Sequence, residues 1–206
     1  MSEGTGKLFV FAAPSGAGKT TLVHAVVKKH PELRFSISYT TRNPRENEAH
    51  GADYLFVSKE EFMRLRDEGE MLEYAEVFDN YYASSRSQVE KHLADDRNVI
   101  LEIDWQGAQQ VRESMPECVT IFILPPSVEE LERRLRDRRT DAPEVIERRL
   151  RDALSDMSHW GEFDYVIIND DLNQAISDLE DVLAGNGEAT ATSNEALRRA
   201  VERIIG

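Results

Sequence analysis

The chain has 206 residues, 40% of them hydrophobic, which is enough to bury one good core with a lobe inserted into it. Its 39 acidic and 25 basic side chains leave a net charge of −14, which excludes a broad basic face for nucleic acid or an anionic membrane. No run approaches the ~18 apolar residues of a membrane span and no charged start precedes a long apolar stretch, so a cytoplasmic protein is expected, and any polyanion must be met by a local cationic pocket.

Residues 8 to 13, "LFVFAA", form a continuous apolar run rich in strand formers, the pattern of a strand buried on both faces. The loop "APSGAGKTTL" follows at 13 to 22 and runs into a helix over 19 to 29, with Leu22, Val23, Val26 and Val27 apolar. Residues 34 to 92 break the rhythm: short alternating pieces ("FSISYT", "YLFV") and a helix announced by the Ser58 to Glu61 capping box predict an inserted α+β lobe. Strands return at 98 to 104, "NVILEID", and at 118 to 124, "CVTIFIL". The latter holds the one cysteine, Cys118, which has no intramolecular partner, suits a reducing compartment and is expected to be buried. Helices over 127 to 139, opened by a Ser127 to Glu130 capping box, and over 143 to 159 lead to the strand "DYVIIN" at 164 to 169 and a helix over 172 to 184. After that, "AGNGEATATSNE" has the composition of a linker, and "ALRRAVERIIG" suits a short helix. Strands alternating with helices predict an α/β fold, a parallel sheet wrapped by helices with ligands beyond the carboxyl ends of the strands.

The loop carries the chemistry. A buried strand, a glycine-containing turn and a helix aim several backbone N–H groups and the positive end of a helix dipole at one spot, so an anion belongs there. Lys19 adds a point charge for the β- and γ-phosphates of a nucleotide, and the Thr20 hydroxyl is placed to ligate Mg²⁺. Ala13, Pro14, Ser15, Gly16, Ala17, Gly18, Lys19, Thr20 and Thr21 are the candidate ATP-binding residues. Ala13 stands where the GxxxxGK[ST] pattern has its first glycine; its methyl is tolerable if its φ stays negative, with Gly16 and Gly18 taking the unusual dihedrals and Pro14 holding Ala13 extended.

A second cluster, "SYTTRNPRENEAHGADY" at 38 to 54, sets Arg42 and Arg45 three residues apart among hydroxyls, suited to a second phosphate; taken blandly, it is a solvated loop with stray arginines. Over about residues 7 to 185 the chain resembles guanylate kinase, most nearly the bacterial enzymes. The match runs through "APSGAGKTTL", "TTRNPRENEAHGADYLFV", "MLEYAEVFDNYYASS", "LEIDWQGAQQV", "FILPPS" and "VIINDDL" in the family's order and spacing. Several bacterial members also carry alanine at the position of Ala13.

The resemblance implies a P-loop NTPase fold with a core at 7–33, 93–128 and 155–185, a GMP-binding lobe at 34–92 and an arginine-rich helical lid at 129–154, leaving 186–206 as linker and C-terminal helix. It also implies the reaction ATP + GMP ⇌ ADP + GDP with Mg²⁺, part of purine nucleotide metabolism, dGMP being a further acceptor. By motif, Arg42, Arg45, Tyr54 and Tyr82 would hold the GMP phosphate, and Ser38, Glu73, Ser84 and Asp104 would read guanine, whose N1–H and N2–H donors suit a carboxylate. Taken alone, Glu73 reads as an exposed strand residue, and Tyr81 and Tyr82 as one core and one surface ring. Three departures from the family pattern are Ala83 in place of a glycine, expected to tighten a turn near Ser84, Glu102 in place of aspartate as a water-mediated magnesium contact, and Arg139 at a frequent glycine position.

Residues 129 to 152 hold eight arginines and eight acids at helical spacing, alone the mark of a solvated, salt-bridged face over an apolar seam of Val128, Leu131 and Leu135. The family match assigns Arg134, Arg138 and Arg149 to catalysis beside Lys19 and Arg42, and leaves Arg133, Arg136 and Arg148 as structural. Closure of the lobe and lid over the substrates is expected. The rival functions are a non-catalytic guanylate-kinase-like interaction domain, another nucleoside monophosphate kinase, and a GTP-hydrolysing switch, for which the NKxD sequence is missing. The sequence leaves oligomeric state open, a homo-oligomer included.

Overall fold

The computed structural model describes residues 6–77, 79–137 and 143–206. The four long apolar runs become β1 (Leu8–Ala12), β7 (Val99–Glu102), β8 (Val119–Leu124) and β9 (Tyr165–Ile168), and with the short β2 (Arg34–Phe35) they make a five-stranded sheet of order β2-β7-β1-β8-β9. β2 runs parallel to β7 and β8 parallel to β9. Every residue of β1 is buried, as are Val99 to Leu101 and Ile121 to Leu124, which is why these strands read as unbroken apolar runs rather than alternating ones. The strand order reverses across β1, so the loop leaving its carboxyl end opens at the place where such sheets bind ligands.

Two compact units share the chain, one built mainly from Glu32–Leu101 and Gln106–Val119, the other from Val10–Pro31, Glu102–Trp105 and Thr120–Gly206. The first contains a four-stranded mixed sheet of order β4-β3-β6-β5, from β3 (Ser38–Thr40), β4 (Leu55–Phe56), β5 (Met71–Val77) and β6 (Asn80–Ser85). Helix α2 (Lys59–Asp67) covers it, burying Phe62 and Leu65 against Met71 and Ala83, with Tyr39, Val57 and Tyr81 around them. Ser58 caps α2 by accepting from the Glu61 N–H at 3.1 Å, as the capping-box spacing predicts; the Glu61 carboxylate turns to Arg64 instead of back to the cap. The "FSISYT" segment divides between the two sheets: Phe35, with Arg34 before it, joins the parallel one, and the lobe's own sheet starts at Ser38. Ala83 lies mid-strand in β6, fully buried opposite Tyr39 and Tyr74, so the tightened turn expected there is replaced by continuous strand. α3 (Arg86–Ala94), capped by Ser85, and α4 (Trp105–Ser114) complete the elements around β7.

In the second unit α1 (Lys19–Lys29) follows β1, and α5 (Val128–Asp137), α6 (Pro143–Met157) and α7 (Leu172–Ala184) match the predicted helices within a few residues. Residues 187 to 192, a linker by composition, pack instead against β9. Thr190 accepts from Val166 N–H at 2.9 Å, Thr192 N–H donates to Asp164 at 2.9 Å, and Ala191 bridges Tyr165 antiparallel. Gly187 is buried where a Cβ would meet Tyr165 and Val182 below 3 Å, so its small size serves close packing rather than freedom. Asn194 then caps α8 (Glu195–Ile205). Among the described residues, no helix is long and apolar enough to cross a membrane, and Cys118 is buried.

Candidate functional site

The loop from Ala13 to Gly18 has the geometry the sequence demands of it. Gly16 (φ 96°) and Gly18 (φ 90°) hold the left-handed conformations, and Ala13 stays out of the positive-φ region. Ala17 N–H closes a turn on Pro14 O at 3.2 Å. α1 has no side-chain cap and no acid in its first turn, whereas α2, α3, α7 and α8 are capped by Ser58, Ser85, Asp171 and Asn194. A helix start without a side-chain cap or an acid suits an anion. Lys19 Nζ donates to Ile103 O at 2.6 Å, and Thr20 Oγ1 donates to the Glu102 carboxylate.

Two side chains that sequence reasoning assigned differently or passed over hold this loop. Buried Asn169, at the end of β9, donates from Nδ2 to Ala17 O at 2.8 Å. Arg134, on α5, reaches the same carbonyl at 3.3 Å and Asn169 O at 3.0 Å, while its Nε is held by Glu130 at 2.8 Å. Arg133 and Arg134 together hold the Glu130 carboxyl down at about 2. A Cβ on Gly18 would collide with Asn169 Nδ2 as well as straining its φ. We expect Gly18→Ala to cost ~1–2 kcal/mol of stability and to raise the KM for ATP at least tenfold, whereas Ala13→Gly shifts that KM by less than about twofold. Thermal melts and steady-state kinetics on the pair check both.

The second cluster forms within the lobe. Arg42 grips Glu48 with both fork nitrogens, at 2.8 and 2.9 Å, and donates to Asn43 O at 2.8 Å. Its guanidinium lies 5.5 Å from the centroid of the Tyr54 ring, and Tyr54 stands edge-on to Tyr82 at 6.0 Å. The Glu48 carboxyl, bonded by Arg42 and by Arg45 N–H, is pulled down to about 2, and Arg42 is raised further above its already high value. Arg45 is exposed at the rim. Glu48 had no role in the sequence reading; the signal was its place six residues after Arg42, within reach on one loop. Glu73 is only 5% exposed, not the open strand residue its local pattern suggests, and accepts from Ser84 Oγ at 2.7 Å across the β5–β6 pairing. Ser38 pairs with Ser84 on the neighbouring strand, so Ser38, Ser84 and Glu73 follow one another across three strands. Tyr81 packs on Phe62 at 5.3 Å, leaving Tyr82 beside Arg42.

Asp104 belongs to the other unit, half-buried just before α4. Its neighbour Trp105 donates to Asp156 at 3.0 Å and stacks on His159 with centroids 3.4 Å apart. Burial pushes the Asp156 carboxyl up, the Trp105 bond opposes this, and the charges of Asp104 and Asp152 push it further up. Arg133, Arg136 and Arg148 are more than half exposed and paired with acids on their own helices. Arg149 is half-buried on α6; Arg138 and Arg139 lie outside the described residues. Among its described residues the segment combines a solvated salt-bridged face with an arginine, Arg134, turned onto the phosphate loop.

A parallel sheet whose central strand feeds a lysine-bearing phosphate loop defines a P-loop nucleotide-binding protein. The family model for guanylate kinase matches residues 5–186. The chain is 48% identical over 201 residues to the guanylate kinase of Alkalilimnicola ehrlichii, covering 98% of this chain and 99% of that one. It is 53% identical over 190 residues to that of Aromatoleum aromaticum, covering 92% and 93%. The crystal structure of guanylate kinase from Anaplasma phagocytophilum superposes with a TM-score of 0.72 at 34% identity, over 98% of this chain and 96% of that one. The chain belongs to the guanylate kinase family.

Proposed function

We propose that the chain transfers the γ-phosphoryl group of ATP to GMP, giving ADP and GDP, and takes dGMP as a second acceptor. The observation that carries this reading is the presence of two phosphate-binding constellations in one chain: Lys19 and Thr20 at an uncapped helix start, and Arg42 with Tyr54 and Tyr82 beside a buried Glu73–Ser84 pair.

The chain's side chains act by position and charge. Loop N–H groups and Lys19 bind the donor's phosphates, Lys19 leaving Ile103 O to follow charge as it moves to the transferring oxygens. The Arg42 fork, held flat by Glu48, presents its remaining donors to the acceptor phosphate together with the Tyr54 and Tyr82 hydroxyls. Arg45 joins Arg42 at the acceptor phosphate, and Arg134, Arg138 and Arg149 add positive charge around the transferring group. Glu73 accepts from guanine N1–H and N2–H, with Ser84 and Ser38 fixing the carboxylate and the base edge, and Asp104 supplies a further acceptor; adenine offers no matching pair of donors. A nucleophilic phosphate oxygen of GMP attacks the γ-phosphorus in line as the bond to the ADP oxygen breaks. That oxygen is already ionised, so no general base is needed.

Among the described residues no group of three or more His, Cys, Asp or Glu is placed to hold a metal ion. The Thr20 hydroxyl would ligate Mg²⁺ and the Glu102 carboxylate it touches would meet the ion through water; both are hard-oxygen groups that fit such an ion. When bound, Mg²⁺ neutralises charge on the β- and γ-phosphates.

The test is phosphoryl transfer from ATP to GMP, dGMP, AMP, UMP and TMP; preference for AMP overturns the guanine assignment. The pH profile gives a second check. The Glu48 carboxyl is depressed, so the stability it lends is complete above its unfolded pKa of ~4.3 and is lost progressively as pH falls from there through about 2. Between pH 5 and 8, kcat/KM for GMP should therefore follow the acceptor phosphate, which titrates near ~6. Glu48→Gln should lower the plateau of that profile without moving its midpoint.

A further inference from the structure

β5 is an edge strand, bonded to β6 on one side only, and its ladder carries a register shift between Met71 and Glu73. A bulged edge strand is a poor support for a side chain that must aim at a ligand, because the backbone groups on its open side have no ladder to hold them. Here they are held from α4. Gln110 Oε1 accepts from Tyr74 N–H at 3.1 Å, and Gln110 Nε2 donates to Tyr74 O at 3.2 Å. One turn later Ser114 Oγ lies 3.3 Å from Leu72 O, though the nearer acceptor of its single proton is Gln110 O at 2.8 Å on its own helix. The two residues stand four apart and so share one face of α4. A primary amide offers a donor and an acceptor at the spacing of a peptide group, so Gln110 takes the place of a neighbouring strand at Tyr74. The orientation of its amide follows from its partners, since a backbone N–H requires the oxygen and a carbonyl requires the nitrogen.

The anchored residue, Tyr74, directly follows Glu73. We infer that Gln110 is a positioning residue for guanine selection: by pairing with the backbone of Tyr74 it fixes the bulged stretch from which the Glu73 carboxylate is aimed. The inference rests on the reading of Glu73 as the guanine acceptor. The Gln110 amide is engaged by the Tyr74 backbone, and its effect travels through β5.

The experiment compares wild type, Gln110→Ala, Gln110→Glu, Glu73→Ala and the Gln110→Ala/Glu73→Ala double variant, with GMP and with IMP, which keeps N1–H and lacks the N2 amine. Gln110→Ala should raise the KM for GMP about tenfold and shrink the preference for GMP over IMP by a similar factor, with the KM for ATP and kcat within about twofold of wild type. Gln110→Glu keeps the acceptor, sets a carboxylate against Tyr74 O, and should be at least as impaired. If Gln110 acts through Glu73, the double variant matches Glu73→Ala. Additive losses in the double variant, or an unchanged GMP/IMP preference in a folded Gln110→Ala protein with a lowered melting temperature, overturn the inference and leave Gln110 as an edge brace alone. If Glu73→Ala itself leaves the GMP/IMP preference intact, the guanine reading fails first, and the two failures are told apart. Should Gln110→Ala not fold, Gln110→Asn, which keeps the amide but shortens its reach, gives the same comparison.

Discussion

Replacing Lys19 with alanine is expected to lower kcat by about 10² to 10³, or roughly 3–4 kcal/mol of transition-state stabilisation, while leaving the binding of GMP alone unchanged. The lysine sits in the first turn of α1, its Nζ 2.6 Å from Ile103 O. That carbonyl ends a strand facing the ligand crevice, where water can replace the lost donor, so the variant should fold. The loop N–H groups remain, set by the dihedrals of Gly16 and Gly18 and by the bond from Asn169 to Ala17 O. ATP should therefore still bind, more weakly, and the loss should concentrate in the chemical step. Single-turnover phosphoryl transfer at saturating ATP measures it, with equilibrium titration of GMP as the control. A variant that keeps its single-turnover rate removes the ammonium from the mechanism.

Arg42→Ala is expected to raise the KM for GMP by ~10² or more and to lower kcat as well, with the KM for ATP unchanged. Two losses combine. The acceptor phosphate loses a two-pronged donor, and the Glu48 carboxylate, with a side chain only 16% exposed, is left with the Arg45 N–H and the more distant Arg45 charge in place of a paired guanidinium. Pairing Arg42→Ala with Glu48→Gln separates them: the double variant should recover melting temperature without recovering activity. Arg42→Lys should rescue little, because a single ammonium cannot fork to Glu48 and face a phosphate at once. An Arg42→Ala enzyme with wild-type KM for GMP and wild-type kcat takes that residue out of the phosphate grip.

The parts of this protein that were legible in its sequence are those set by neighbouring residues. The buried strands announce themselves because both faces of each are apolar, and α2 announces itself through Ser58 and the spacing of Phe62 and Leu65. The departure at Ala13 resolves locally too, because the loop needs its left-handed residues at 16 and 18 and not at 13. Composition misleads where a segment is small and polar yet packed: residues 187 to 192 have linker chemistry, but their small side chains let the backbone close onto the edge of β9. Glu73 misleads in the same way, since its strand is an edge and its burial comes from the lobe around it.

What the sequence determined by itself is the phosphate loop, the order of strands and helices, and the family. Tertiary structure alone decided which groups hold the reactive ones in place: Asn169 and Arg134 on Ala17 O, 152 and 117 residues away in the chain, and Gln110 on β5, 36 residues from Tyr74. The physical reason is that a helix, a strand or a left-handed turn is specified by periodicity and backbone sterics within a few residues. A backbone carbonyl carries no residue identity, so nothing in the sequence says which distant donor will reach it until the chain has folded.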